Sequence, residues 1–95
     1  MILTNEDIII KKEQEDQYEH FRYRLRERYG LEIAFIEYRD LDQKEIKIIK
    51  VEKYTDIGFI KFRNKKILIV YNRKKRIALT ALPSEMAFKI KNDFN

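Results

Sequence analysis

The feature that most constrains the fold is an apolar run without alternation, Ile-Leu-Ile-Val-Tyr, within residues 66–71. Apolar side chains at successive positions are typical of a strand that is covered on both faces. The flanking residues 57–63 and 76–82 are rich in β-branched and aromatic residues, and the asparagines of residues 64–65 and 72–75 favour short hairpin turns. We therefore predict three antiparallel strands with residues 66–71 at the centre of the sheet.

A long helix is predicted before these strands. A mostly apolar stripe, with members three or four residues apart, comprises Ile10, Gln14, Tyr18, Phe21, Leu25 and Tyr29. The helix is predicted to end near Gly30, which is a good C-terminal cap. Thr4 or Asn5 can cap the start of the helix. The polar residues 11–17 interrupt the stripe, which predicts either a bent helix or two helical pieces.

The remaining segments complete the predicted fold. Residues 31–39 alternate as a strand with a bulge, with a second helix as the alternative, and residues 45–54 predict a further strand. Ser84 starts a C-terminal helix, whose apolar stripe comprises Met86, Ile90 and Phe94. The prediction is a single domain over residues 1–95 of the α+β class, with a long N-terminal helix on a four- to five-stranded antiparallel meander and a short C-terminal helix.

Composition excludes several kinds of site. The chain has no cysteine and 1 histidine, so it offers no thiol nucleophile, no disulfide and too few ligands for a structural zinc site. With 2 glycines it has no glycine-rich phosphate loop, and we expect no metal or cofactor. No apolar run approaches the roughly 18 residues of a membrane span, and the start of the chain is acidic. These features predict a cytoplasmic protein without membrane contact.

Positive charge is concentrated in the second half of the chain. Residues 1–50 hold 10 Lys and Arg against 12 Asp and Glu, whereas residues 51–95 hold 11 against 4. No acidic residue occurs between Asp56 and Glu85. We expect the cations of this acid-free interval to bind nucleic acid, and they are Lys61, Arg63, Lys65, Lys66, Arg73, Lys74, Lys75 and Arg76. This cluster predicts salt-dependent binding of RNA or another polyanion. The alternative is that lysines on turns keep strand edges soluble.

A ridge of His20, Arg24 and Arg28 lies beside the apolar stripe of the predicted helix, because these residues are one turn apart. A metal-independent ribonuclease needs an acid and a base that work near neutral pH, and a cation that holds the charge of the phosphorane. Histidine and arginine can fill these roles. The alternative explanation is that cations near the end of a helix interact favourably with its dipole.

Two short motifs resemble a known superfamily. They are His20-x-x-x-Arg24-x-x-x-Arg28-x-Gly30 and, at residues 77–83, Ile-Ala-Leu-Thr-Ala-Leu-Pro. Together they resemble the small ribonuclease-toxin superfamily of barnase, EndoU-type nucleases and RelE-like toxins. In these relatives a helical unit packs on a four-stranded antiparallel sheet, and a His, an Arg and a Thr or Tyr on the sheet face cut RNA without metal. The resemblance implies that His20 is an acid or base, that Arg24 or Arg28 stabilises charge, and that Thr80 bonds the phosphate. An antitoxin-like protein partner would fit the resemblance.

Two interpretations without chemistry stand beside the ribonuclease. The first is a regulatory or protein-interaction module, because the 6 tyrosines and many arginines are typical of protein interfaces as well as of RNA-binding surfaces. The second is a homodimer, because a central strand covered on both faces needs more cover than one short helix supplies.

Overall fold

A four-stranded antiparallel sheet in meander order, β1-β2-β3-β4, organises the chain. The structure is a computed structural model that describes the backbone of residues 5–92 and the side chains of residues 12–91. Its elements are helix α1 Asn5–Tyr29, helix α2 Phe35–Arg39, a 3-10 helix Asp40–Gln43, strands β1 Lys47–Val51, β2 Thr55–Phe62, β3 Lys65–Asn72 and β4 Ile77–Leu82, and helix α3 Met86–Asn92. The predicted α+β architecture is confirmed. None of the described helices is long and apolar enough to cross a membrane.

Strand β3 is covered on both faces, as its apolar run predicts. Ile67 and Ile69 pack with Phe21 and other side chains of α1 and α2, on what we call the α1 face of the sheet. Leu68 packs on the opposite α3 face and is 0% exposed. Ala87 and Ile90 of α3 belong to the same cluster. Burial of β3 therefore does not require a second copy of the chain.

Both hairpin turns use left-handed residues, but the first one is displaced by one position. Arg63 and Asn64, with φ of 50° and 64°, form the two-residue turn between β2 and β3, so Lys65 already belongs to β3. In the second turn the Asn72 side chain accepts a hydrogen bond from the Lys75 backbone N–H at 2.9 Å. Arg76 closes this turn with a φ of 58°.

Helix α1 runs as one element and ends where the sequence predicts. The Gly30 N–H donates to the Arg26 carbonyl at 2.9 Å, and Gly30 has a φ of 66°. Phe21 and Leu25, both 0% exposed, carry the buried stripe. The predicted cap at Thr4 lies outside the described residues, as does the side chain of Ile10.

The predicted strand at residues 31–39 is wrong. Residues 35–39 form helix α2, in line with the helical alternative, and residues 31–34 form neither helix nor strand. Glu37 accepts the Ala34 backbone N–H at 2.9 Å, which satisfies a donor at the start of α2. Tyr38 and Leu41, three positions apart, are both buried, a spacing that suits a helical turn and not a strand. Burial also raises the pKa of the Tyr38 hydroxyl, which donates to the Ala78 carbonyl.

Two smaller differences concern strand β1 and helix α3. Strand β1 is shorter than the predicted residues 45–54, and it crosses so close to Gly58 that a Cβ there would lie 2.4 Å from the Lys47 carbonyl oxygen. Helix α3 buries Ala87 and Ile90, whereas Met86 is 37% exposed. Phe94, the third residue of the predicted stripe, lies outside the described residues.

The outer edge of β4 is bonded by side chains of α1. Gln17 donates its Nε2 to the Leu79 carbonyl, and Arg28 donates its Nη1 to the Ala81 carbonyl. An edge strand otherwise exposes such groups to water or to another chain. These bonds hold α1 along β4.

Tyr29, the last residue of α1, connects the helix to two strands. Its hydroxyl donates to the Leu82 carbonyl at 2.7 Å and accepts the Leu68 N–H at 2.9 Å. Ser84 also donates to it at 3.2 Å. Leu68 and Leu82 are register partners, so the hydroxyl bridges the β3–β4 pair at its end.

We expect Tyr29→Phe to lower the free energy of unfolding by about 1–3 kcal/mol, because it leaves the Leu68 N–H and the Leu82 carbonyl without their partner. Urea denaturation followed by circular dichroism measures the change. Tyr54→Phe, at a 52% exposed position, is the control and should change stability by less than about 0.5 kcal/mol. Equal stability of the two variants would contradict the bridging role.

Candidate nucleic-acid interface

The cations predicted to form one basic surface lie at two ends of the sheet. Lys61, Lys65 and Lys66 flank the turn between β2 and β3, whereas residues 73–76 form the turn between β3 and β4. The eight residues of β3 separate the two turns by roughly 25 Å, at about 3.3 Å per residue. Each end must therefore be considered as a separate surface.

An open groove of about 870 Å³ lies at the first end. We call it the lysine groove, and its lining residues are Lys44, Glu45, Lys47, Phe59, Ile60, Lys61, Arg63, Asn64 and Lys66. Glu45 is the one acid of this lining. Among the described side chains, no carboxylate forms an ion pair with any of the four lysines.

Lys61 and Lys66 are direct cross-strand partners in this groove. Both side chains are exposed, and they share the α3 face because their strands continue to the paired Phe59 and Leu68. Like charges opposite each other destabilise a sheet. A bound anion would relieve this repulsion.

Arg63 lines the same groove but is engaged within the protein. Its Nη2 lies 2.8 and 2.9 Å from the two carboxylate oxygens of Glu37, and its Nε donates to the Glu32 carbonyl at 3.2 Å. These bonds connect the β2–β3 turn to the start of α2. Lys65 makes a longer contact of 3.4 Å with the Tyr29 carbonyl.

Arg73, at the second end, is the most extensively bonded of the predicted cations. Its Nη2 donates to the carbonyls of Glu52 and Lys53 at 2.8 and 2.7 Å, and its Nη1 reaches the Thr55 carbonyl. Nη1 also pairs with Asp56, which is 6% exposed. The guanidinium therefore clasps the β1–β2 turn to the β3–β4 turn.

The other cations of the second end differ in their partners. Arg76 pairs with Asp42 at 3.4 Å, and the Lys74 ammonium lies 5.8 Å from the centre of the Tyr54 ring. Lys75 is exposed. Arginines thus hold the elements together at both ends, and the predicted cations that pair with no described carboxylate are all lysines.

The ridge of predicted catalytic residues, His20, Arg24 and Arg28, lies on helix α1, which packs beside β4. His20 is exposed and makes no hydrogen bond or ion pair with a described residue. Arg24 donates to Glu27 at 3.0 Å, and hydrogen bonds from Tyr23 and Arg24 lower the pKa of Glu27. Arg28 is bonded to the Ala81 carbonyl and so takes part in the fold.

Thr80 lies on the other side of β4 from the buried stripe of α1. It is the register partner of Val70, which packs in the α3-face cluster, whereas Phe21 of α1 packs in the α1-face cluster. The structure therefore does not gather Thr80 and the ridge on one face of the sheet. The catalytic roles of these residues stay predictions.

Sequence reasoning missed Lys44 and Lys47, which lie outside the acid-free interval. The signal that identifies Lys47 is the pairing of β1 with β2, which sets it opposite Phe59 and two positions from Lys61 on the same face. Within residues 12–91, no group of His, Cys, Asp and Glu side chains is placed to hold a metal ion.

The bonds by which the Arg73 guanidinium joins the β1–β2 turn to the β3–β4 turn predict a loss of stability for Arg73→Lys. This substitution keeps the charge but loses the planar fork of donors. Because a single ammonium group cannot bond Asp56 and the carbonyls of Glu52, Lys53 and Thr55 together, we expect the free energy of unfolding to fall by about 2 kcal/mol. The reciprocal change in the same turn, Lys75→Arg, should leave it unchanged. Thermal and urea denaturation of both variants measure this, and an undiminished stability of Arg73→Lys would overturn the structural role.

Comparisons of the chain with protein-family models, with curated proteins and with solved structures found no significant match. The resemblance to ribonuclease toxins therefore stays a prediction from short motifs. Function has to be argued from the chemistry of the surfaces described above.

Proposed function

We propose that the protein is a small RNA-binding protein that contacts phosphates through the lysine groove. The observation that carries the proposal is the cross-strand pair of Lys61 and Lys66, two exposed like charges that no described carboxylate neutralises. Lys44 and Lys47 add two further ammonium groups to the same groove. The groove chemistry suits phosphates in general, and the choice of RNA follows the predicted ribonuclease resemblance.

Lysine ammonium groups favour contact with the backbone over recognition of bases. A lysine is a mobile point charge, whereas the fixed fork of an arginine suits bidentate recognition of a base edge. Phosphate contacts position a nucleic acid without reading its sequence. We therefore expect binding with little sequence preference.

The floor of the lysine groove adds a second kind of contact. Phe59 lines it between the lysines and is only half-buried, whereas the side chain of Ile60 is buried in the core on the α1 face. An aromatic surface among cations is typical of proteins that track single-stranded nucleic acid. The groove thus offers charge to the backbone and apolar surface to the sugar or base.

RNA binding by the lysine groove can be tested without disturbing the fold, because the groove lysines and the structural arginines are different residues. Arg63 and Arg73 are engaged in bonds to carboxylates and carbonyls, so their removal disturbs the fold. Lys61 and Lys66 have no such bonds among the described residues. Removing their charge should therefore affect binding while it leaves the sheet intact.

We expect Lys61→Gln with Lys66→Gln to weaken the affinity for single-stranded RNA by about tenfold or more at low salt, because two phosphate contacts are lost. The slope of log affinity against log salt should fall by about 2 in magnitude. Fluorescence anisotropy of a labelled oligonucleotide over a salt series measures both quantities. The free energy of unfolding should not fall, since the variant removes a like-charge pair.

A matched control removes the same charge outside the groove. Lys12→Gln with Arg39→Gln changes one residue of α1 and one of α2, neither of which lines the groove. Equal losses in the two double variants would show that only net charge matters and would overturn the groove proposal. The assay contains chelator and includes His20→Gln, since cleavage by wild type alone would support the predicted ribonuclease activity.

A further inference from the structure

Tyr54 stands exposed at the end of the sheet opposite the lysine groove. It lies in the β1–β2 turn and is 52% exposed. The Lys53 ammonium lies 5.3 Å from the centre of its ring, and the Lys74 ammonium lies 5.8 Å from it. An aromatic face and two cations are thus combined at one point of the surface.

The backbone that carries this ring is held on both sides. The Tyr54 carbonyl accepts the Arg73 N–H at 2.9 Å, and the Arg73 guanidinium bonds the carbonyls of Glu52 and Lys53. The Glu52 N–H also donates to the Thr55 carbonyl at 2.8 Å. The turn is therefore fixed before any ligand binds, which reduces the ordering cost of binding.

We infer that Tyr54 stacks on an unpaired base of RNA while Lys53 and Lys74 bind the flanking phosphates. The inference rests on the proposed function and defines its substrate class as single-stranded RNA. An exposed ring can stack only on a base whose own face is free, and in a duplex the bases are stacked on one another.

The contacts of the free protein do not oppose this arrangement. Stacking of a base on an aromatic side chain is stronger than an exposed cation–π contact, so a base displaces the ammonium groups from the ring. Lys53 and Lys74 are long and flexible, and their ammonium groups can then reach phosphates on either side of the stacked base.

The experiment uses tryptophan as a reporter, because the chain contains 0 tryptophans. Tyr54→Trp is titrated with a single-stranded RNA oligonucleotide and with the duplex of the same sequence, at low salt. The control is Tyr23→Trp, since Tyr23 is also exposed, at 61%, and has the Arg24 guanidinium 5.5 Å from its ring centre, but lies on α1.

We expect the single strand to quench the tryptophan fluorescence of the Tyr54→Trp variant and the duplex to quench it little. Neither RNA should quench the fluorescence of the Tyr23→Trp variant. Tyr54→Leu should bind the single strand about tenfold more weakly, as for the loss of one stacked base, and bind the duplex unchanged. Binding of the single strand without quenching at Tyr54→Trp would overturn the stacking inference and leave the proposed function standing. Absence of any RNA binding by wild type would overturn both.

Discussion

The outer edge of β4 is the constraint on which the structure depends. An edge strand leaves backbone carbonyls that must find donors or face water. Here the donors are side chains of α1, with Gln17 on the Leu79 carbonyl and Arg28 on the Ala81 carbonyl. Tyr29 completes the attachment by bridging β3 and β4. The helix is thus fixed in register along the strand, and its buried stripe covers the α1 face of the sheet.

Arginine and lysine have different tasks in this small protein. Arg28, Arg63 and Arg73 each bond a backbone carbonyl of another element, which suits a planar fork of donors. The lysines of the groove keep their ammonium groups exposed, and Lys61 faces Lys66 at a cost in like-charge repulsion. A count of all cations in the sequence therefore combines arginines that are bonded within the fold with lysines whose charge is exposed.

The sequence predicts the elements whose causes are local. The apolar run of β3, the asparagine turns and the Gly30 cap all appear where their residues place them, within one or two positions. The prediction for residues 31–39 is wrong because their alternating apolar residues also fit a strand. The burial of Tyr38 and the bonds of the Glu37 carboxylate to Ala34 and Arg63 favour a helix instead. The lysine groove could be predicted only in part, because Lys44 and Lys47 join it through the pairing of β1 with β2.

The central claim is that RNA meets the protein at the lysine groove of the sheet. Chemical-shift mapping of a uniformly ¹⁵N-labelled sample during titration with a single-stranded RNA oligonucleotide tests it most directly, because each backbone amide reports separately. The account predicts that the largest shifts fall on residues 44–47 and 61–66, with a second set at residues 53–54. Shifts confined to α1 around His20 and Arg24, or spread evenly over the surface, would contradict it.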